Sequence, residues 1–113
     1  MKRFNFNAVQ KPTWEVELGD NDHTVVHLSY PTLELADRLT ALATEIGDIA
    51  AKKDGKTIRD AFGIIAEVMS CNEDGFSFTA EELRDRYKMT LLVMAQFVAG
   101  YLEFLKEANE AKN

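Results

Sequence analysis

The sequence predicts a one-domain α+β fold, in which a small N-terminal antiparallel β-sheet packs on a C-terminal bundle of three to four helices. Apolar and polar side chains alternate through much of residues 2–30, as they do in half-buried strands. In residues 32–108 the apolar side chains instead recur at steps of three and four, as in amphipathic helices. The 113 residues suffice for one modest core, so we expect a single domain with a frayed polar tail at residues 109–113.

The sheet part contains three candidate strands. Residues 2–7 place both of their phenylalanines on one face. Residues 13–18 and 24–28 predict a β-hairpin around residues 19–22, GDND, which tolerate turn dihedrals. The inward face of the hairpin comprises Trp14, Val16, Leu18, Thr24, Val26 and Leu28. Whether residues 2–7 join it as a third strand stays open.

Two long helices are expected next. Thr32 is a good N-cap for the first, whose apolar seam runs to about Ala51. That seam consists of Leu35, Leu39, Leu42, Ile46 and Ile49. Thr57, with Asp60 three residues later, predicts a capping box at the start of the second helix. Residues 58–69 are apolar on most sides, which indicates a largely buried helix.

A turn and two further helices complete the predicted fold. Residues 71–75, CNEDG, predict the turn, and Thr79 with Glu82 forms a capping box that opens a short helix through about Tyr87. A long terminal helix follows over residues 89–105. No helix-breaking residue separates the two, so whether they are continuous stays open.

The terminal helix has an apolar surface about 200° wide, roughly twice what a surface helix needs. One face is an ordinary core seam, and the face beside it comprises Val93, Phe97, Tyr101 and Phe104. This aromatic stripe has two interpretations. Either it packs inside the chain, between the sheet and the other helices, or it binds another protein, because aromatic side chains are enriched where proteins meet. The four stripe residues are therefore the candidate partner-binding residues.

Charge and composition exclude several classes of partner. The formal net charge is −6, with 19 acidic against 13 basic side chains, so a phosphate backbone is repelled and nucleic acid is not an expected partner. The terminal helix is slightly shorter than a membrane span and carries Gln96 and Glu103, so no membrane insertion is expected. The first residues lack a signal-peptide pattern, which favours the cytoplasm.

No group of residues predicts catalysis or a cofactor. His23 and His27 lie near two aspartates, but on a strand they are about 13 Å apart, too far for one metal ion. Cys71 is the sole cysteine and is more simply a small core side chain at a helix end than a nucleophile. We therefore expect no catalytic residues, no metal and no cofactor.

Several segments together resemble one protein family. They are WEVELGD at residues 14–20, YPT at 30–32, NEDG at 72–75, FTAEE at 78–82, FVAGYLEF at 97–104 and KN at 112–113. In this order, and spanning nearly the whole chain, they are similar to the tail assembly chaperones of long-tailed bacteriophages and of prophages of Gram-positive bacteria.

The resemblance implies a non-enzymatic assembly factor in the cytoplasm of the bacterial host that is absent from the mature virion. Such proteins transiently bind the long helical tape measure protein and recruit the tail tube protein, and weak self-association is compatible with that role. In many relatives a ribosomal frameshift near the end of the reading frame adds a domain that binds the tube protein. Residues 111–113 can be encoded as GCA AAA AAC, which contains a slippery heptamer.

Three alternatives stay open at this point. The first is a structural phage protein, such as a head-tail connector or tail-completion subunit, that forms a stable oligomer. An enzyme or metal-binding protein would have to be built on His23, His27 and Cys71. A small acidic helical regulator of a host protein is the third alternative.

Overall fold

A computed structural model describes residues 12–52 and 55–110, in which two strands precede four helices. The elements are β1 (Trp14–Glu17), β2 (Val25–Leu28), α1 (Leu33–Lys52), α2 (Gly55–Ser70), α3 (Ala80–Asp85) and α4 (Leu91–Glu110). The predicted α+β class is confirmed. The candidate strand at residues 2–7 and the chain end at residues 111–113 lie outside the described residues.

The two strands form the predicted antiparallel hairpin, in which Trp14 pairs with Leu28 and Glu17 with Val25. The turn is held by the carboxylate of Asp20, which accepts hydrogen bonds from the backbone N–H of Thr24 at 2.9 Å and from its hydroxyl at 2.6 Å. Glu15 and Glu17 are exposed, whereas Val26 and Leu28 are fully buried. The alternation of the sequence therefore assigned the inward face correctly.

The outer edge of β2 is paired by the loop that follows α2. The backbone N–H of Ser29 donates to the Cys71 carbonyl at 2.8 Å, and that of Glu73 donates to the His27 carbonyl at 3.0 Å. Asn72 organises this loop, because its side-chain oxygen accepts hydrogen bonds from two backbone N–H groups and its amide nitrogen donates to two carbonyls. The segment predicted only as a turn thus also extends the sheet.

Helices α1 and α2 pack as an antiparallel pair. Thr32 caps α1 as predicted, since its hydroxyl accepts from the backbone N–H of Leu35 at 3.2 Å. The expected N-cap at Thr57 is wrong, because α2 begins at Gly55 and Thr57 therefore lies inside its first turn. A capping residue would need extended backbone dihedrals there, and the helix extends N-terminally past it instead. The exposed ion pair between Arg38 and Glu67, 2.6 Å long, joins the two helices.

Helix α3 opens with the predicted capping box, in which Thr79 and Glu82 each satisfy a backbone N–H of the other. It ends at Asp85, shortly before the predicted end, and is separate from α4. The break occurs at Lys88, which has a φ of +57° although it is not a glycine. Backbone hydrogen bonds from Met89 to the Leu83 carbonyl, at 2.9 Å, and from Tyr87 to the Glu82 carbonyl, at 3.0 Å, hold this conformation.

Helix α4 lies between the hairpin on one side and α1 on the other. Its core seam contributes the buried side chains of Met94 and Val98, and Ala108 is buried near its end. The helix continues to Glu110, past the apolar stretch from which it was predicted. Because both neighbours belong to the same chain, the wide apolar surface of α4 is largely covered from within.

Candidate functional site

The indole ring of Trp14 covers most of the aromatic stripe of α4. Its centroid lies 5.6 Å from that of Phe97, 5.9 Å from that of Tyr101 and 6.3 Å from that of Phe104, on which it stacks at 15°. Trp14 reaches all three rings because it stands on the inward face of β1, which crosses α4. These contacts join the hairpin to the terminal helix.

Burial divides the four predicted partner-binding residues. Tyr101 is fully buried and Phe97 is 8% exposed, whereas Phe104 is partly buried. The Tyr101 hydroxyl donates to the Ser29 carbonyl at 2.7 Å, and burial raises the pKa of this phenol. Only Val93, at 44% exposure, offers a large part of its side chain to solvent. Phe97 and Tyr101 are therefore core residues of this chain, and a partner reaches Tyr101 only if the hairpin separates from α4.

An apolar groove of about 280 Å³ lies at the N-terminal end of α4, and we call it the α4 groove. Its walls are the end of β1 on one side, the first turns of α4 on another, and the α3–α4 connection on the third. The lining residues are Val16, Glu17, Leu18, Gly19, Met69, Leu83, Tyr87, Lys88, Met89, Val93 and Phe97. Met69 and Leu83 form a buried floor, with 2% and 0% exposure. Two of the four stripe residues, Val93 and Phe97, thus meet at one concave surface.

The rim of the α4 groove carries one cation and one carboxylate. Lys88 is exposed on the side of the α3–α4 connection, and the Arg86 guanidinium lies 5.3 Å from the centre of the Tyr87 ring. Glu17, on the opposite side, is 3.1 Å from a ring nitrogen of His23. No sequence signal pointed to Lys88, because neither a glycine nor an asparagine marks the chain reversal there.

A second cavity, of about 560 Å³, lies between α1, the C-terminal half of α2 and the start of α3. Cys71 lines it, and its thiol donates to the Glu67 carbonyl at 3.4 Å. Burial, followed by the nearby Glu67 carboxylate, raises the pKa of this thiol. Both effects disfavour the thiolate, which is the nucleophilic form of cysteine. The environment of Cys71 therefore fits the structural interpretation.

The two histidines pair with carboxylates on the exposed surface of the hairpin and do not converge. His23 lies in the turn with a φ of +52° beside Glu17, whereas His27 on β2 is 3.2 Å from Asp74 and 3.6 Å from Glu15. Within residues 12–52 and 55–110, no three His, Cys, Asp or Glu side chains are grouped so that they could hold a metal ion.

Comparison of the chain with protein-family models, with curated proteins and with solved structures finds no match in any of the three. Among the described residues, none of the helices combines the length and the apolar character that crossing a bilayer requires.

Proposed function

We propose that this chain is a non-enzymatic phage tail assembly chaperone, which transiently binds the tape measure protein in the cytoplasm of the bacterial host. The observation that supports it best is the α4 groove, an apolar concave surface whose wall ends in the exposed side chain of Val93. Apolar side chains open to solvent beside a groove are typical of surfaces that receive another protein.

The size of the groove suits a transient contact. A volume of about 280 Å³ accommodates one or two apolar side chains of a client, which buries little area in each contact. A long helical client presents many such side chains, so that many chaperone molecules bind along it at modest individual affinity. Weak individual contacts also permit release when the tail tube assembles around the client.

The same proposal includes recruitment of the tail tube protein through a longer, frameshifted form of the chain. Its support is the resemblance together with the possible slippery codons for residues 111–113. Sequencing of the gene tests this part directly, since a gene with neither a slippery heptamer nor an overlapping downstream frame has no extended product.

Co-expression with the long coiled-coil protein encoded just downstream tests the main proposal. The affinity-tagged chain is expected to keep that protein soluble and to co-purify with it. Val93→Ser is expected to weaken co-purification without unfolding the chain, because Val93 is already 44% exposed. Leu33→Ser is the matched control, since Leu33 is 87% exposed and lies outside the α4 groove.

Two results would contradict the proposal. If the client stays insoluble while the wild-type chain purifies alone, the chaperone function is wrong. If the chain instead forms a stable ring at assay concentrations, a structural connector or tail-completion subunit becomes the better explanation.

A further inference from the structure

We propose that the α4 groove receives one bulky apolar side chain from a partner helix that also carries a carboxylate one turn away, and that Lys88 pairs with this carboxylate. The inference rests on the proposed function, in which the partner is a helical client, and it specifies the chemistry of the client segment. Three observations support it: the volume of the groove, the local charge beside it and the backbone conformation of Lys88.

The volume limits what the groove can hold. Its 280 Å³ is just below the range of about 300–1,000 Å³ that is typical of small-molecule sites, and its floor of Met69 and Leu83 is apolar. Tyr87 and Phe97 line the sides, so that an entering side chain meets mostly carbon atoms. A single leucine, methionine or phenylalanine of a partner fits this space better than a polar ligand does.

Two charged side chains of opposite sign line the α4 groove, on opposite sides of it. Glu17 is already in contact with His23, 3.1 Å from a ring nitrogen. Lys88 makes no ion pair within the described residues. A carboxylate beside the apolar anchor of a partner therefore meets a complementary charge on the Lys88 side of the rim.

The backbone of Lys88 sets the direction in which its side chain leaves the chain. A lysine at a φ of +57° is in a conformation that L-residues avoid, and such strain is concentrated at functional sites. The hydrogen bond from the Met89 N–H to the buried Leu83 carbonyl anchors the strained residue to α3. Glycine or asparagine would relieve the strain at this position, so lysine contributes a charge there that the fold does not require.

Two synthetic helical peptides are the probes for this inference. Each is a side-chain-stapled helix of about 16 residues with a central phenylalanine, and the two differ only in a glutamate or a lysine four positions later, on the same face. Titrated into the ¹⁵N-labelled full chain, the glutamate peptide is expected to shift the amide signals of residues 16–19 and 87–93. We expect it to bind roughly two- to fivefold more tightly than the lysine peptide, the upper part of the range for one exposed ion pair.

Substitutions in the chain separate the groove from the rest of the surface. Val93→Asp adds a carboxylate to the groove wall in the first turn of α4, where the helix dipole tolerates acids. This substitution is expected to weaken binding of the glutamate peptide at least fivefold. Leu92→Asp is the matched control, because Leu92 is 68% exposed in the same turn but does not line the groove. Lys88→Asn keeps a residue that accepts positive φ and is expected to make the two peptides bind equally.

The outcomes distinguish this inference from the proposed function. Equal binding of the two peptides to the wild-type chain, no binding of either at millimolar concentration, or unchanged binding to Val93→Asp would each overturn it. None of these results involves the tape measure protein, so co-purification of that client could still support the chaperone function. In the converse result, the tape measure protein fails to co-purify while the glutamate peptide still binds more tightly than the lysine peptide. That result would support the α4 groove as a binding site and reject the tape measure protein as its client.

Discussion

The indole of Trp14 lies directly above the backbone of Gly100, so that a Cβ atom on residue 100 would be 2.9 Å from Cζ2 and 3.0 Å from Cη2 of the ring. Real Cβ atoms do not approach another heavy atom this closely. Gly100 therefore permits the hairpin to approach α4 at the distance that brings Trp14 against three aromatic rings. Because residue 100 has no side chain, the Trp14 ring can contact Phe97, Tyr101 and Phe104.

Gly100→Ala is expected to destabilise the fold by about 1 kcal/mol. Overpacking against Trp14 costs roughly 1–3 kcal/mol, and the better helix propensity of alanine offsets up to about 1 kcal/mol of it. Gly47→Ala is the control, because nothing lies within 4 Å of a Cβ at that helical position, and it is expected to stabilise by about 0.5–1 kcal/mol. Urea unfolding of both variants measures the two effects, and equal changes in stability would show that the ring moves freely.

Phe97 and Val93 should respond differently to truncation although they belong to the same apolar stripe. Phe97→Ala removes a ring that is 8% exposed and is expected to cost about 3 kcal/mol. Val93→Ala, at 44% exposure, is expected to cost less than about 1 kcal/mol. Thermal unfolding followed by circular dichroism separates the two variants. A small effect at Phe97 would mean that the hairpin does not pack on α4 in solution.

Lys88→Gly is expected to stabilise the chain by about 1 kcal/mol. The left-handed conformation at a φ of +57° costs a lysine roughly 1–2 kcal/mol, and part of this gain is lost to the greater freedom of glycine in the unfolded chain. The melting temperature measures the change. A decrease would indicate that the lysine side chain makes a stabilising contact that exceeds the strain.

Acidification should weaken the contact between the hairpin and the loop after α2. The backbone N–H of His27 donates to Asp74 at 2.6 Å, and this bond, with weaker contributions from the imidazole ring, holds the pKa of Asp74 below its ordinary value of 3.8. A carboxylate with a lowered folded-state pKa stabilises the fold above that ordinary value, and the stabilisation is lost as the pH falls through the folded-state pKa.

Urea unfolding at pH 7, 5, 4 and 3 measures this dependence. Asp74→Asn is expected to be less stable than the wild type at pH 7 and to show a shallower loss of stability below pH 4. Asp22→Asn, in the exposed hairpin turn, removes the same charge and serves as the control, because among the described residues no backbone N–H donates to the Asp22 side chain. Parallel pH profiles for the wild type and Asp74→Asn would contradict the assignment.

Local patterns predicted the elements well, because their determinants lie close together in the sequence. Alternation located the hairpin, and the N-cap at Thr32 and the capping box at Thr79 located two helix starts. The candidate partner surface was harder to predict. Periodicity shows that the face of α4 bearing Phe97 and Tyr101 is apolar, but it does not show which element covers that face, and here the cover is Trp14, more than 80 residues earlier in the chain.

Two other features escaped prediction because no local signal encodes them. The helix breaks at Lys88, between α3 and α4, without a helix-breaking residue, and local backbone hydrogen bonds from Tyr87 and Met89 to the end of α3 hold the conformation there. At Thr57 the capping pattern did not mark the helix start, since α2 begins two residues earlier. The α4 groove depends on how β1 packs on α4 and on the break in the helix at Lys88, so it could not be located from the sequence.

The pairing of β2 with the loop after α2 also has a consequence for the order of folding. Ser29 and Cys71 are 42 residues apart, and joining them directly in an unstructured chain would carry a large loop-closure entropy. The antiparallel packing of α1 and α2 brings these residues close together, because the end of α2, just before residue 71, lies beside the start of α1. Formation of the helical pair should therefore precede completion of the sheet, with the backbone hydrogen bonds between β2 and the loop after α2 among the last contacts to form.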